Sequence, residues 1–161
     1  MVTKQGSLEL LRDPIAQQLL TSTTPARLAY LGRDDLPRVV PIWFHWTGNE
    51  LVMSSPPNSA KLRALETHPH VAVAIDTSSE PYRSLQLRGT ASVQRVKGVP
   101  PEYAQSAERY YGAEQGKAWV AQVSGMFAEF GRITIKPNWV SLMDFETRFP
   151  NAIERAMATA Q

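Results

Sequence analysis

The spacing of apolar and polar positions divides the chain into a short helical opening, a long stretch of strands, a helical insertion and a return to strands. Asp13-Pro14 opens the first helix, over about residues 13–21, with Asp as N-cap and Pro at the first helical position. Ile15, Leu19 and Leu20 give it an apolar face, and residues 21–25 break the run. Residues 26–31, 39–46 and 51–55 then read as three strands. The polar turns at 32–37 and 47–50 are short enough for neighbours to pair as an antiparallel meander. A helix begins near Ser59, with Ala60, Leu62, Ala64 and Leu65 apolar and Lys61, Arg63 and Glu66 polar, and it stops at His68-Pro69. Residues 71–75 are apolar on both faces, as in a strand covered from both sides. In residues 84–95, Leu85 and Leu87 alternate with Gln86 and Arg88, and Gly89 marks a bulge or bend of the kind that curves a sheet into a barrel.

Residues 101–125 are helical in pattern. Tyr103, Ala107 and Tyr110 recur at helical spacing, Gly112 interrupts, and Ala118, Val120 and Ala121 resume. Strands return at 127–135 and 139–144, separated by Lys136-Pro137-Asn138, and the tail from Asn151 suits a short helix. The expectation is a mainly β chain: one domain over residues 1–161 with six or seven mostly antiparallel strands. Its core barrel covers about 26–145, with flanking helices at 13–21 and 101–125.

Composition narrows the chemistry. At 161 residues with 43% hydrophobic and 20% charged side chains, the chain suits one globular domain. The absence of cysteine excludes disulfides, zinc–thiolate sites and a cysteine nucleophile. Net charge is +2, and Arg27, Arg33, Arg38, Lys61, Arg63, Arg83 and Arg88 are scattered among apolar or acidic neighbours. No nucleic-acid partner is expected, although a few cations suffice for a small anion. No apolar run approaches the ~20 residues of a membrane span. Residues 1–13 lack the apolar core and cleavage site of a secretory signal, so a soluble, cytoplasmic protein is expected.

Two stretches carry candidate chemistry. Ser54 and Ser55 end a strand, a Pro-Pro-Asn loop follows, and a helix starts near Ser59 with Lys61 in its first turn. Strand-end hydroxyls, free helix N–H groups and one ammonium together suit a phosphate. The same residues also read as an N-capping Ser59 and a solvated Lys61. The loop lacks the glycines of a nucleotide P-loop. In Pro41-Ile42-Trp43-Phe44-His45-Trp46, alternation sends Ile42, Phe44 and Trp46 to one face and Trp43 and His45 to the other. One face is core. The other points an indole and an imidazole at a pocket or partner subunit, where a planar heterocycle could stack. Tyr103, Tyr110 and Tyr111 read first as packing residues, with the pocket or a dimer interface as the alternative. His68 and His70 straddle Pro69, no metal site is expected, and no catalytic side chain stands out.

The order Val39-Val40-Pro41-Ile42-Trp43-Phe44, Leu51-Val52-Met53-Ser54-Ser55, Lys61, Thr67-His68-Pro69-His70-Val71-Ala72-Val73 and Leu85-Gln86-Leu87-Arg88-Gly89-Thr90-Ala91 resembles the pyridoxamine 5′-phosphate oxidase-like, FMN-binding split β-barrel family. The likeness covers about residues 26–93, with a weaker match at 132–144. It implies a homodimer with two cofactor sites at the subunit interface, transferring hydride between FMN and a small organic substrate. By position, Val40, Pro41, Ile42 and Trp43 would line the flavin ring through backbone groups. Ser54, Ser55 and Lys61, helped by Ser59, would hold the phosphate. Arg83 or Ser84 would contact the cofactor from a further strand, and Trp139 would approach from the other subunit. The better-known oxidases carry Arg directly before the phosphate Lys, where this chain has Ala60. Their arginine-rich C-terminal substrate signature is replaced here by Trp139-Val140-Ser141-Leu142-Met143-Asp144. Vitamin B6 phosphate is therefore not the implied substrate. Similar relatives use the deazaflavin F420, whose acidic tail needs a further basic groove to which Arg63, Arg38 or Arg88 could contribute. An F420-dependent reductase is thus one alternative. A non-catalytic flavin- or haem-binding protein, with His45 at the pocket, is the other.

Overall fold

In strand β1 (Ala26–Leu31), Ala26 and Leu28 are buried while Arg27 is exposed, the alternation of a sheet with one face on a core. The other strands are β2 (Pro37–Ile42), β3 (His45–Trp46), β4 (Leu51–Ser55), β5 (His70–Asp76), β6 (Ser84–Lys97) and β7 (Glu129–Met143); β5 and β6 show the same alternation, whereas β4 is buried on both faces and β2 is largely exposed. The computed structural model describes residues 4–160, and every strand pairing in it is antiparallel. The strands form one seven-stranded sheet in the order β2-β1-β5-β6-β7-β4-β3.

That order decides the shape. The sheet begins with β2 and ends with β3, yet only Trp43 and Phe44 separate these strands in the chain. Three Cα steps of 3.8 Å allow at most about 11 Å between Ile42 and His45. The two edges of the sheet must therefore come together, and the sheet closes on itself. The single strand expected over 39–46 is corrected to two, because the chain leaves one edge and joins the other at this step. The expected meander holds for β1 with β2, whereas β4 meets only the two residues of β3 and pairs mainly with β7.

β6 and β7 are long and paired along their whole length. Arg88 faces Trp139 but Gly89 faces Pro137, so Asn138 is an extra residue opposite the expected bend at Gly89. The segment Lys136-Pro137-Asn138, expected to lie between separate strands, is instead absorbed into one, with Pro137 accommodated at the bulge. A Cβ on Gly89 would collide with the Lys136 carbonyl oxygen, which is why no side chain stands there. Leu28, Phe44, Leu51, Met53, Leu85, Leu87, Ile133 and Ile135 fill the interior.

Helix α1 (Pro14–Leu20) starts as expected, with the Asp13 carboxylate accepting the Ile15 N–H at 2.9 Å. A short 3₁₀ turn at Leu8–Arg12 precedes it. Helix α2 (Ala60–Thr67) buries Leu62, Ala64 and Leu65, and Leu62 packs so closely over Gly131 of β7 that a Cβ there would overlap it. The helical insertion is two helices, α3 (Pro101–Tyr111) and α4 (Ala113–Met126), folded against each other at Gly112, whose φ is +85°. Helix α5 (Asn151–Thr159) ends the described chain. Among the described residues no helix is long and apolar enough to cross a membrane.

Two glycines test this packing. Gly89→Ala is expected to cost about 1–3 kcal/mol, because the strand it would push against is backbone and cannot swing away. In α4, Gly125 has nothing within 4 Å of a built Cβ, so Gly125→Ala should be neutral or stabilise by up to about 1 kcal/mol. Urea denaturation of both variants checks the pair. Equal midpoints for the two would refute this account of the bulge.

Candidate functional site

The last two residues of β4 are consecutive serines, and strand alternation sends them opposite ways. Ser55 is 2% exposed. Its hydroxyl donates to Ser59 Oγ at 2.9 Å and accepts from Lys61 Nζ at 2.9 Å. Ser59 occupies the N-cap position of α2 but makes no side-chain cap bond, its hydroxyl being engaged by Ser55 instead. Lys61, in the first turn of α2, is half-buried and forms no ion pair among the described residues. Burial holds its ammonium below the ordinary lysine pKa. A cation without a counter-ion, two hydroxyls and the start of a helix thus converge in a few ångströms, an arrangement complementary to a small anion.

Ser54 turns to the other side. Its Oγ is buried with no hydrogen-bond partner. Ser54 lines a cleft of about 400 Å³ together with Pro25, Pro41, Ile42, Trp43, Tyr103, Tyr111 and Trp119. Of the residues picked out in the sequence, Ser55, Ser59 and Lys61 therefore form one group, and Pro41, Ile42, Trp43 and Ser54 a second beside it. Val40 and Ile42 pack partly against the core, and Pro41, lacking an N–H, offers only its carbonyl.

Arg83, Ser84 and Trp139 are not brought to this place by their own chain. Ser55 pairs with Gly131, which pairs with Arg95, whereas Ser84 lies eleven positions back along β6 and pairs with Met143. Along the strand, at ~3.3 Å per residue, those eleven positions span at most roughly 35 Å. The Arg83 guanidinium donates to Gln18 Oε1 at 2.9 Å, while its Nε is buried without a partner. Trp139 sits on the outer face of the sheet beneath the Arg88 guanidinium, 4.0 Å from the ring centroid. It shares a shallow cleft there with Arg27, Val39 and Gln86.

The walls of the 400 Å³ cleft include Tyr103 and Tyr111, read in the sequence first as packing residues, and Trp119, not singled out in the sequence. Trp43 stacks on Tyr110 with centroids 5.0 Å apart and planes 10° apart, and Tyr111 meets it edge-on at 5.0 Å. Trp119 Nε1 donates to Tyr103 Oη at 2.9 Å, and Tyr110 Oη donates to the Thr24 carbonyl at 3.1 Å. The available signal was the seven-residue spacing of Tyr103 and Tyr110, which puts both on one face of α3. Arg109 ties α3 to the β2–β3 step, donating Nε to the Ser22 carbonyl at 3.0 Å and Nη2 to the Phe44 carbonyl. Glu102 pairs with Arg132 at 2.5 Å, and that bond holds its carboxyl below the usual carboxylate pKa. His45 in β3 is half-buried, and desolvation, aided by the Arg109 charge, pushes its pKa below that of a free imidazole. No cluster of three or more metal-ligating side chains occurs among the described residues.

On another side of α2, Arg33, Asp34, Arg38, Ala60 and Arg63 border a cleft of about 260 Å³ with Tyr30. Arg38 pairs with Asp34 at 2.7 Å, and Arg33 forms no ion pair among the described residues. Arg88, on the outer sheet face, lines a further cleft of about 470 Å³ that it shares with Tyr30, Arg38 and His70.

The chain belongs to the pyridoxamine 5′-phosphate oxidase family, whose profile matches residues 13–144. An F420 reductase is 24% identical, with a TM-score of 0.59 over 78% of this chain and 94% of its own. A conserved hypothetical protein from Mycobacterium tuberculosis is 17% identical, with a TM-score of 0.67 over 91% of each chain. The haem storage protein of Vibrio cholerae is 15% identical, with a TM-score of 0.60 over 82% of this chain and 93% of its own. At these identities the likeness to the solved structures is one of fold. No curated protein sequence matches the chain.

Lys61→Met separates binding from stability. A lysine whose folded pKa is depressed costs the ligand-free fold stability at every pH below that pKa, and the cost fades as pH rises through it. At neutral pH the ligand-free variant should therefore be at least as stable as the parent in urea, while losing affinity for inorganic phosphate in calorimetric titration. A clear loss of stability, or undiminished phosphate binding, would contradict the reading of Lys61 as an uncompensated cation.

Proposed function

We propose that this member of the family binds a flavin-type redox cofactor through its phosphate, at Ser55, Ser59 and Lys61, and acts as an oxidoreductase on a small organic compound. FMN is the first candidate. One observation carries the reading: the half-buried Lys61 ammonium lies 2.9 Å from a buried serine hydroxyl and pairs with no carboxylate among the described residues. A phosphate would supply the missing charge and accept from Lys61 and from the Ser59 hydroxyl, which Ser55 orients by donating to its oxygen. When bound, such a cofactor supplies hydride transfer from its own ring chemistry. The chain's share is to hold and orient it. Lys61 and the start of α2 neutralise the phosphate, and the backbone of Val40, Pro41, Ile42 and Trp43 borders the ring. The α3–α4 pair screens that side from water.

We further propose that the working unit is a homodimer with the cofactor at the subunit interface. Arg83 and Trp139, remote from the site within one chain, would then serve the site of a second copy, whereas Ser84, 2% exposed, is enclosed by its own chain. The outer sheet face suits such contact, since Val39 is 66% exposed on it.

A second reading, an F420-dependent reductase, is favoured by the cleft of Arg33, Arg38 and Arg63. That cleft reaches Ala60, the residue before Lys61, so an acidic tail attached beyond the phosphate would meet cations there.

Fluorescence titration of the purified protein with FMN and with the deazaflavin coenzyme tests both. Lys61→Ala should weaken whichever binds by about 10- to 100-fold, corresponding to about 1.5–3 kcal/mol for a charge-assisted contact. Arg63→Ala should weaken the deazaflavin coenzyme several-fold and leave FMN unaffected. Unchanged affinity in Lys61→Ala overturns the phosphate site. Tight retention without turnover by any reductant points to a binding protein instead of an enzyme.

A further inference from the structure

The geometry points to a planar, uncharged ring compound as the substrate, taken up in the aromatic cleft of Trp43, Tyr103, Tyr111 and Trp119 and addressed by the single hydroxyl of Ser54. This rests on the cofactor reading above, since the cleft adjoins the proposed phosphate site through the Ser54–Ser55 step of β4.

The cleft's volume of about 400 Å³ falls within the range of roughly 300–1,000 Å³ typical of small-molecule sites. Its rings are already held in place. Trp43 is backed by the parallel ring of Tyr110, and Trp119 is fixed by its bond to Tyr103 Oη. Tyr111 stands edge-on to both Trp43 and Trp119, with centroids at 5.0 and 6.0 Å. Walls so preorganised favour a flat ring and lose little freedom on binding it.

Charge is missing from the lining, and the reason is visible in the surroundings. Two ionisable side chains of α3 are engaged by other groups of the chain. Arg109 bonds to the Ser22 and Phe44 carbonyls, and Glu102 is paired with Arg132. The phenol of Tyr103 is desolvated, which favours its neutral form. No cation lines this cleft to meet a phosphate or carboxylate on the substrate. Among the residues lining the cleft, the buried side-chain atom without a hydrogen-bond partner is Ser54 Oγ, which can donate to or accept from a carbonyl, phenol or ring nitrogen.

The test is calorimetric titration of the protein as purified with 2-naphthol and with naphthalene-2-sulfonate, which share a ring system and differ in charge. 2-Naphthol is expected to bind at least tenfold more tightly. Trp119→Ala should lower that affinity tenfold or more, Trp119→Phe should keep most of it, and Ser54→Ala should lower it several-fold. Circular dichroism and thermal melting confirm that each variant folds, with Trp119→Phe as the milder change if Trp119→Ala does not. Equal binding of the sulfonate, or undiminished affinity in Trp119→Ala, overturns the proposal. Undiminished affinity in Ser54→Ala removes the hydroxyl from it. Lys61→Ala keeps the two readings apart. It should lose cofactor affinity yet bind 2-naphthol as the parent does. A cofactor loss without naphthol discrimination sinks only this inference, and the reverse pattern sinks the cofactor site.

Discussion

The two-residue step at Trp43 and Phe44 is the constraint on which the rest of the molecule depends. A sheet whose first and last strands are consecutive in the chain has to close, because the backbone has only about 11 Å in which to pass between its edges. Phe44, with no exposed surface, is driven into the core at that point and anchors the closure. Arg109 reaches over from α3 to the Phe44 carbonyl, a group the break leaves outside the strand ladders. The break thus fixes three things at once: the closed sheet, the docking of the helical insertion, and the outward turn of Trp43.

The candidate site follows from that closure together with the period of a strand. Consecutive serines at the end of β4 cannot share a task, since alternation sends them to opposite faces. Ser55 joins Lys61 and Ser59 at the start of α2, and Ser54 joins the rings beside β2. One strand end therefore serves a charged compartment on one side and an apolar one on the other. A half-buried ammonium without a carboxylate costs the free protein stability, and an arrangement of that kind persists where a ligand restores the balance.

The helical insertion gives the second compartment its character. Gly112 folds α4 back on α3, bringing Trp119 to Tyr103 and both to Trp43. Charged side chains nearby are held by carbonyls or by one another, so the cleft is aromatic without being ionic.

Much was legible in the residues themselves. Alternation marked the strands, Asp13-Pro14 and Ser59 marked helix starts, Gly89 marked the bend, and the order from Val39 to Ala91 marked the family. These are local signals, carried by spacing and by single residues whose backbone preferences are strong. The grouping of Ser55, Ser59 and Lys61 was also within reach, because six residues separate its members. What lay beyond reach was non-local. Nothing in Pro41-Ile42-Trp43-Phe44-His45-Trp46 shows that the strand breaks to join two edges of one sheet, since that depends on the pairing of every other strand. Tyr103, Tyr111 and Trp119 meet Trp43 only because two helices dock across the closure, and Arg83, Ser84 and Trp139 lie far from Lys61 because β6 runs the length of the sheet. Sequence alone determined which residues prefer strand, helix and turn, and which could hold an anion. Tertiary structure alone decided which of them share a space, because contact between distant residues is set by chain closure and packing, not by spacing along the chain.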